Sequence, residues 1–377
     1  MRRVVISTIG TSLLTNQIKR NDDAEKDWYN QIRDTANLTQ ENTPKEVLSI
    51  IEILKSRAVA KLEQSSIPQI RLASAELNGI YALYQEQLQH GIEDIHRLIA
   101  TDTAQGKATA EIVKQFLINQ KLFNTDIYTP PGLSTATTTA FSEGIDYLLV
   151  WLSEEITPLK DRYRVCFNLV GSFKSLQGYL NTIGMFYSDE IIYIFEGKES
   201  NLITIPRLPI KVDESKIRPY AIQFALMDAG AGLPLSEVAD IPESLIGEYN
   251  GRKVLSTWGQ LIWKECQIDL LSKDLLAFPR LQYLDTFRAD YNRIRDKKEK
   301  TQLQKDLAQV SHLLSESNGN TSVLKEHPGL RYDKYTNRND NVAHFRVNQG
   351  LRISCISTEG TLILRRYGQE PEVNTNP

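Results

Sequence analysis

Residues 163–180 read YRVCFNLVGSFKSLQGYL. The first eight, 163–170, are mostly apolar or β-forming, and the run stops at Gly171 and Ser172. From Lys174 the pattern turns helical, through residue 186. A near-continuous apolar run that breaks at glycine into a helix is what a strand buried on both faces looks like. Working outward, residues 4–9 (VVISTI) form a second such run and end on Gly10, Thr11 and Ser12. Shorter β-rich runs are read at 71–73, 98–100, 124–128 and 190–195. Helix patterns are read at 74–89, 107–119 and 137–155, and after Thr43-Pro44-Lys45-Glu46, which has the form of a capping box with proline at the first helical position. Residues 21–40 are polar and aperiodic and are read as a long loop. Alternation of β and α over some 200 residues predicts an α/β domain of Rossmann-like type, a parallel sheet with helices on both faces.

Beyond residue 205 the alternation stops. The prolines at 206 and 209 mark an exit from the first domain. Residues 206–278 read as a mostly helical connector, with breaks near 229–233 and 248–251. From 279 to 377 a third pattern begins: a helical region over 286–315, a turn-rich segment, and three strand-like runs, with Glu359 and Gly360 turning between the last two. That is a small α+β domain.

The chain has 377 residues and a net charge of −3. From Arg280 onward there are 16 Lys and Arg against 12 Asp and Glu, an excess of four, so the rest of the chain is acidic. A basic module on an acidic body points to a polyanionic partner. No apolar run is long enough to span a membrane. The three cysteines, 166, 266 and 355, are far apart, which argues against a zinc site and suits a reducing cytoplasm. No acidic cluster is spaced for a metal.

In an open parallel sheet, ligands bind beyond the carboxyl ends of the strands. The residues following the strands there are Gly10, Thr11 and Ser12; Glu76 and Asn78; Thr101, Asp102 and Thr103; and, flanking the 163–170 strand end, Asn168, Gly171, Ser172, Phe173 and Lys174. Glycine admits a phosphate to the backbone, and hydroxyls and helix N-terminal N–H groups bind it. Lys174 sits in a first helical turn, where the dipole disfavours a cation unless an anion is near.

The segments STIGTS, ASAELN, ATDTAQGKATAE and FNLVGSFKSLQGYL together resemble the CARF domain of CRISPR-associated proteins, over residues 1–205. The resemblance implies a homodimer that binds cyclic oligoadenylate, most often cyclic tetra-adenylate, across its two-fold axis. Some CARF domains also cut their ring. Here Ser12 and Lys174 would be the residues that do so.

The last runs carry His344, Arg346, Arg352, Arg365 and Arg366. Residues two apart on a strand share a face, so His344 and Arg346 point the same way. Fixed guanidinium groups can grip an RNA backbone and stabilise charge on a phosphorane-like transition state. GLRYDKYTNRNDNVAHFRVNQGLRISCISTEGTLILRRYGQEPEV is similar to the RelE/ParE superfamily of toxins. This implies a ribonuclease that cuts mRNA, usually on the ribosome, and with no acidic cluster spaced for a metal the expectation is that it needs none. His344 and Arg346 take the family's paired basic positions, Arg352 its G-x-R arginine and Arg366 the arginine before a glycine. Glu370 stands where the family has His or Arg, and Asn374 where it ends in Tyr. Glu370 or His344 would then transfer the proton. Arg293, Arg295, Lys297, Lys298 and Lys300 would suit contact with ribosomal RNA. The expectation is a ligand-switched endoribonuclease of type III CRISPR immunity, needing an activator and no cofactor. A nucleic-acid-binding regulator without catalysis, and a stand-alone ring nuclease with an inert tail, remain alternatives.

Overall fold

The structure is a computed structural model and describes residues 1–171, 173–194, 201–335 and 340–377. Two compact units divide the chain, Met1–Ile210 and Lys211–Pro377.

The first unit is α/β. Its sheet comprises β1 (Arg3–Thr8), β2 (Ile95–Ile99), β3 (Thr125–Tyr128), β4 (Arg164–Asn168), β5 (Glu190–Ile194) and β6 (Leu202–Pro206), in the order β3-β2-β1-β4-β5-β6. The first five run parallel, and β6 is an antiparallel edge. Val4, Val5 and Ile6 are buried to within 1 % of completely. This double burial is why their strand reads as an unbroken apolar run. Helices Lys45–Gln64 and Ala104–Asn119 pack on each other, and Leu54, Ala58, Ile112 and Val113 join the core between them.

Several expected elements differ. Residues 71–73 are not a strand but the end of helix Ile67–Ala73. Gln69 Oε1 accepts the Ser66 N–H at 2.9 Å and Pro68 lies in the first turn, which together start a helix. At Thr43 no capping box forms: the hydroxyl donates to the Thr39 carbonyl at 2.7 Å, and Pro44 itself occupies the cap position. The presumed loop at 21–40 contains helix Trp28–Asp34, with Ile32 buried. The helix expected over 74–89 ends at Leu83, because Gln85 and Glu86 take positive φ. The strand expected over 190–195 is described to Ile194; Phe195 lies outside the described residues.

The second unit carries a five-stranded sheet of β9 (Leu281–Tyr283), β10 (Asp333–Lys334), β11 (Val342–Arg346), β12 (Leu351–Thr358) and β13 (Thr361–Gln369). The order is β10-β11-β12-β13-β9, antiparallel except for β13 with β9. Glu359 and Gly360, both at positive φ, make the β12–β13 turn. Phe224 and Trp263, from the stretch read as a connector, share one core with Phe287, Leu307, Phe345 and Ile353. That stretch is not wholly helical. It also holds a hairpin, β7 (Ile246–Tyr249) and β8 (Arg252–Leu255), turned by Asn250 and Gly251 at positive φ. The helical run expected over 286–315 is two helices, Asp285–Arg293 and Lys297–Glu316. The second is started afresh by Asp296, whose carboxylate accepts the Lys298 N–H at 2.9 Å.

Candidate functional site

Strand β1 lies between β2 and β4, so the sheet order reverses between β1 and β4. Ser7 is in register with Asn168. The loops leaving these two strands, Gly10 to Ser12 and Gly171 to Lys174, therefore open side by side at the topological switch point, where open α/β sheets bind ligands.

A buried polar hub fixes this mouth from below. Glu76, 1 % exposed, accepts the Gly10 N–H at 2.5 Å and the Ser74 hydroxyl at 2.7 Å. Burial pushes its carboxyl up, against the opposing pull of those bonds. Asn168 donates to Ser7 Oγ at 3.1 Å and to the Glu76 carbonyl at 3.0 Å. The Thr8 hydroxyl donates to the Gly171 carbonyl. A Cβ on Gly171 would come within 2.4 Å of Glu76 Oε1, so only glycine lets the second loop sit against the carboxylate. Glu76 and Asn168, expected as lining, thus work inside the fold. The Gly10 N–H is already bound to Glu76.

At the mouth itself Gly10 and Thr11 are half-buried, and Ser12 and Lys174 are exposed. Phe173 caps helix Lys174–Tyr187 with no side-chain acceptor to offer, and no acidic residue lies in the first turn. The helix N-terminus and Lys174 are thus both positive where the mouth opens. Ser172 lies outside the described residues. Thr101 and Thr103 are buried and share a hydroxyl contact of 3.0 Å, and Thr103 caps helix Ala104–Asn119 through the Gly106 N–H. Asp102 pairs with Lys107 at 2.7 Å and accepts the Gly132 N–H at 2.9 Å. Burial raises its carboxyl, but these partners outweigh burial and hold it below the usual range. Asn78 accepts from Arg71 Nε at 2.8 Å.

In the second unit, β11 and β12 place Arg346 directly opposite Arg352, and His344 opposite Ser354; β13 brings Arg366 opposite Ser354. Ala343, Phe345, Ile353 and Cys355 face the core, so this is the outer face of the sheet. Helix Glu370–Thr375 packs across β12 and β13. Glu370 forms an ion pair with Arg352, whose side chain is only 7 % exposed. The Arg352 bond first, then the charges of Arg346 and His344, hold the Glu370 carboxyl below its ordinary range. It is ionised at neutral pH, so in a proton transfer it starts as an acceptor and not as a donor. Arg366 is turned toward helix Asp285–Arg293, where buried Asp290 accepts its Nε at 2.7 Å and the Tyr367 N–H at 3.1 Å. Arg293 also reaches Asp290, at 3.3 Å. Arg293, Arg295 and Arg366 line a cleft of about 500 Å³ that Asp290 and Glu299 share. The rest of the basic run disperses: Lys297 pairs with Asp269 at 3.1 Å, Lys300 lies over the Tyr291 ring at 4.7 Å, and Lys298 is exposed.

Three participants escaped the sequence reading. Ser354 was legible, two residues from Arg352 on one strand. Asp290 and Tyr335, whose ring meets His344 edge-on at 4.6 Å, carry no sequence signal. Among the described residues no three His, Cys, Asp or Glu side chains come together as a metal site requires, and no helix is long and apolar enough to cross a membrane. Residues 71–208, from the helix before the Glu76 hub to the edge strand of the sheet, match the model of a family described as CRISPR-associated protein (Cas_APE2256), so the N-terminal unit is similar to a CRISPR-associated protein.

Proposed function

We propose that this chain is a CRISPR defence effector in which the first unit senses a cyclic oligoadenylate, cyclic tetra-adenylate above all, and the second cleaves RNA. The observation that carries the reading is the meeting of the Gly10 and Gly171 loops at the β1/β4 switch point, with Lys174 and an uncapped helix N-terminus beside them. Phosphates of a ring would rest there, its ribose hydroxyls near Thr11 and Ser12. A second copy of the chain would complete the pocket around a symmetric ring. Ring cleavage would use Ser12 and Lys174.

In the second unit, Arg346 and Arg352 would hold the non-bridging oxygens of an RNA phosphodiester, and Arg366 would contact the strand from its Asp290 anchor. The 2′-oxygen attacks its own phosphorus and the bond to the 5′-oxygen breaks. The products are a 2′,3′-cyclic phosphate and a 5′-hydroxyl. Arginine donors favour this step because negative charge grows on the phosphorane oxygens. His344, on the same face, is the group suited to move the proton. Arg293 and Arg295 would contact mRNA on the ribosome from the neighbouring cleft.

The test is a translation assay with and without cyclic tetra-adenylate, paired with calorimetry on the intact protein. Arg352→Ala and Arg366→Ala are expected to lose mRNA cleavage and keep ring binding. Full cleavage in either variant overturns the active site, and absence of ring binding by the unmodified chain overturns the sensor.

A further inference from the structure

Four polar atoms on the outer face of β11 and β12 are buried without a hydrogen-bond partner among the described residues: His344 Nδ1, Arg346 Nε, Arg352 Nε and Ser354 Oγ. Buried polar groups are ordinarily paired, and of the eleven unpaired atoms among the described residues these four gather on one small face. The face is also electrostatically unbalanced. Arg346 and Arg352 stand directly opposite each other, an arrangement that destabilises a sheet unless an anion sits between them.

The anion now present is the protein's own. Glu370 lays its carboxylate on Arg352, and its N–H is tied to the Gly350 carbonyl at 2.9 Å. At the far end of the same short helix, Asn374 Oδ1 accepts the Tyr335 hydroxyl at 2.8 Å, and the Tyr335 ring abuts His344. The helix is therefore fastened at both ends over the basic face. One carboxylate reaches one guanidinium and leaves the neighbouring donors unmatched. A phosphodiester, with two non-bridging oxygens and flanking hydroxyls, offers acceptors for more of them.

We infer that Glu370 is an internal stand-in for an RNA phosphate, and that helix Glu370–Thr375 is a strap that has to leave the face before RNA enters. This rests on the reading of that face as the RNA-cleaving site. The strap is held by an ion pair that is buried on its Arg352 side and 39 % exposed on its Glu370 side, by the Glu370 N–H bond to Gly350 and by the surface bond of Asn374, with Val373 as its one buried side chain. Those contacts are weak enough for RNA, or a rearrangement driven by the first unit, to displace them.

The experiment measures binding of an uncleavable 2′-O-methyl RNA single strand to the intact chain, without cyclic ligand, by fluorescence anisotropy across a salt series. Glu370→Gln is expected to bind roughly tenfold more tightly, the scale of one charge-assisted hydrogen bond released to the ligand. Its salt dependence should steepen by about one phosphate contact. Asn374→Ala, which removes the bond from Tyr335 and leaves the Glu370–Arg352 pair intact, should show a smaller gain of the same sign, and it keeps the test open if Glu370→Gln fails to fold. Cleavage of ordinary RNA without activator should rise in the same order. If both variants bind RNA no more tightly than the unmodified chain while Arg352→Ala loses binding, the strap is wrong and the RNA face stands. If none of the proteins binds RNA, the face is misread and the strap falls with it.

Discussion

Replacing Gly171 with alanine tests the hub beneath the candidate ring pocket. The added Cβ would lie 2.4 Å from Glu76 Oε1 and 2.5 Å from its carboxyl carbon. A flexible side chain at the surface would swing aside, but Glu76 is 1 % exposed and bonded to Gly10 and Ser74. Two costs combine. Forcing a methyl group into a filled interior takes about 1–3 kcal/mol. Breaking the Glu76 bond to the half-buried Gly10 N–H leaves the buried acceptor unmatched, about 1–3 kcal/mol more. A loss of about 3 kcal/mol in a unit of this size lowers the melting temperature by about 6–12 °C. The assay is thermal unfolding of the full chain, followed in the double-mutant cycle with Glu76→Ala. Once the carboxylate is gone the methyl group has room, so Gly171→Ala should add little to the damage Glu76→Ala already does. Binding of cyclic tetra-adenylate is expected to weaken in the single variant, because the Gly10 loop is bonded to the displaced carboxylate and the Gly171 loop lies against it. A Gly171→Ala protein that melts within about 2 °C of the unmodified chain would refute the hub.

Burial raises the Glu76 carboxyl above its unfolded value, so the folded state holds more protons in the window between the two. Stability should therefore fall as pH rises from the ordinary carboxylate range through the raised value, and Glu76→Gln, which can still accept from Gly10, should flatten that fall in urea titrations taken at several pH values. Asp290→Ala should cost about 2–4 kcal/mol in urea unfolding, since it strips Arg366 of its anchor and leaves the buried Tyr367 N–H unmatched. Asp290→Asn should lose less, and in either variant RNA cleavage should drop further than RNA binding because Arg366 is no longer aimed. Thr103→Ala should cost about 1 kcal/mol by calorimetric melting, the worth of the cap on helix Ala104–Asn119.

The parallel sheet was legible because its strands are buried on both faces, and burial forces runs such as VVI and VCF. Elements held by local polar chemistry were harder to read. Residues 71–73 are too few to reveal a period, and the Ser66–Gln69 start lies upstream of them. The β7–β8 hairpin did carry a signal, the Asn250-Gly251 turn, that an otherwise helical stretch concealed. The residues that follow each expected parallel strand showed which loops open at the sheet's upper edge, but not which side chains turn down into the fold. Glu76 and Asn168 turn down, and their partners Gly10 and Ser7 lie 66 and 161 residues away. The Asp290 anchor is similarly remote, 76 residues from Arg366. Alternation along a strand was enough to group His344 with Arg346, and would have added Ser354 to Arg352.

Two carboxylates, Glu76 and Glu370, each meet a group expected to touch a ligand, and their surroundings give them opposite tasks. Glu76 is sealed from water, accepts from a backbone N–H that cannot move away, and is driven toward its neutral form. It can only be an anchor, because no solvent reaches it to replace those bonds. Glu370 has a side chain 39 % exposed, stays ionised under the influence of Arg352, and sits at the start of a six-residue helix. Water or a phosphate can take its place on the guanidinium without opening a core. Substitutions at Glu76 should therefore register first in melting temperature and only secondarily in ligand affinity. At Glu370 the order reverses: RNA affinity should change while melting barely shifts. A Glu370→Gln chain that melted as early as Glu76→Ala would show that the carboxylate on Arg352 is a structural clasp and not an exchangeable occupant.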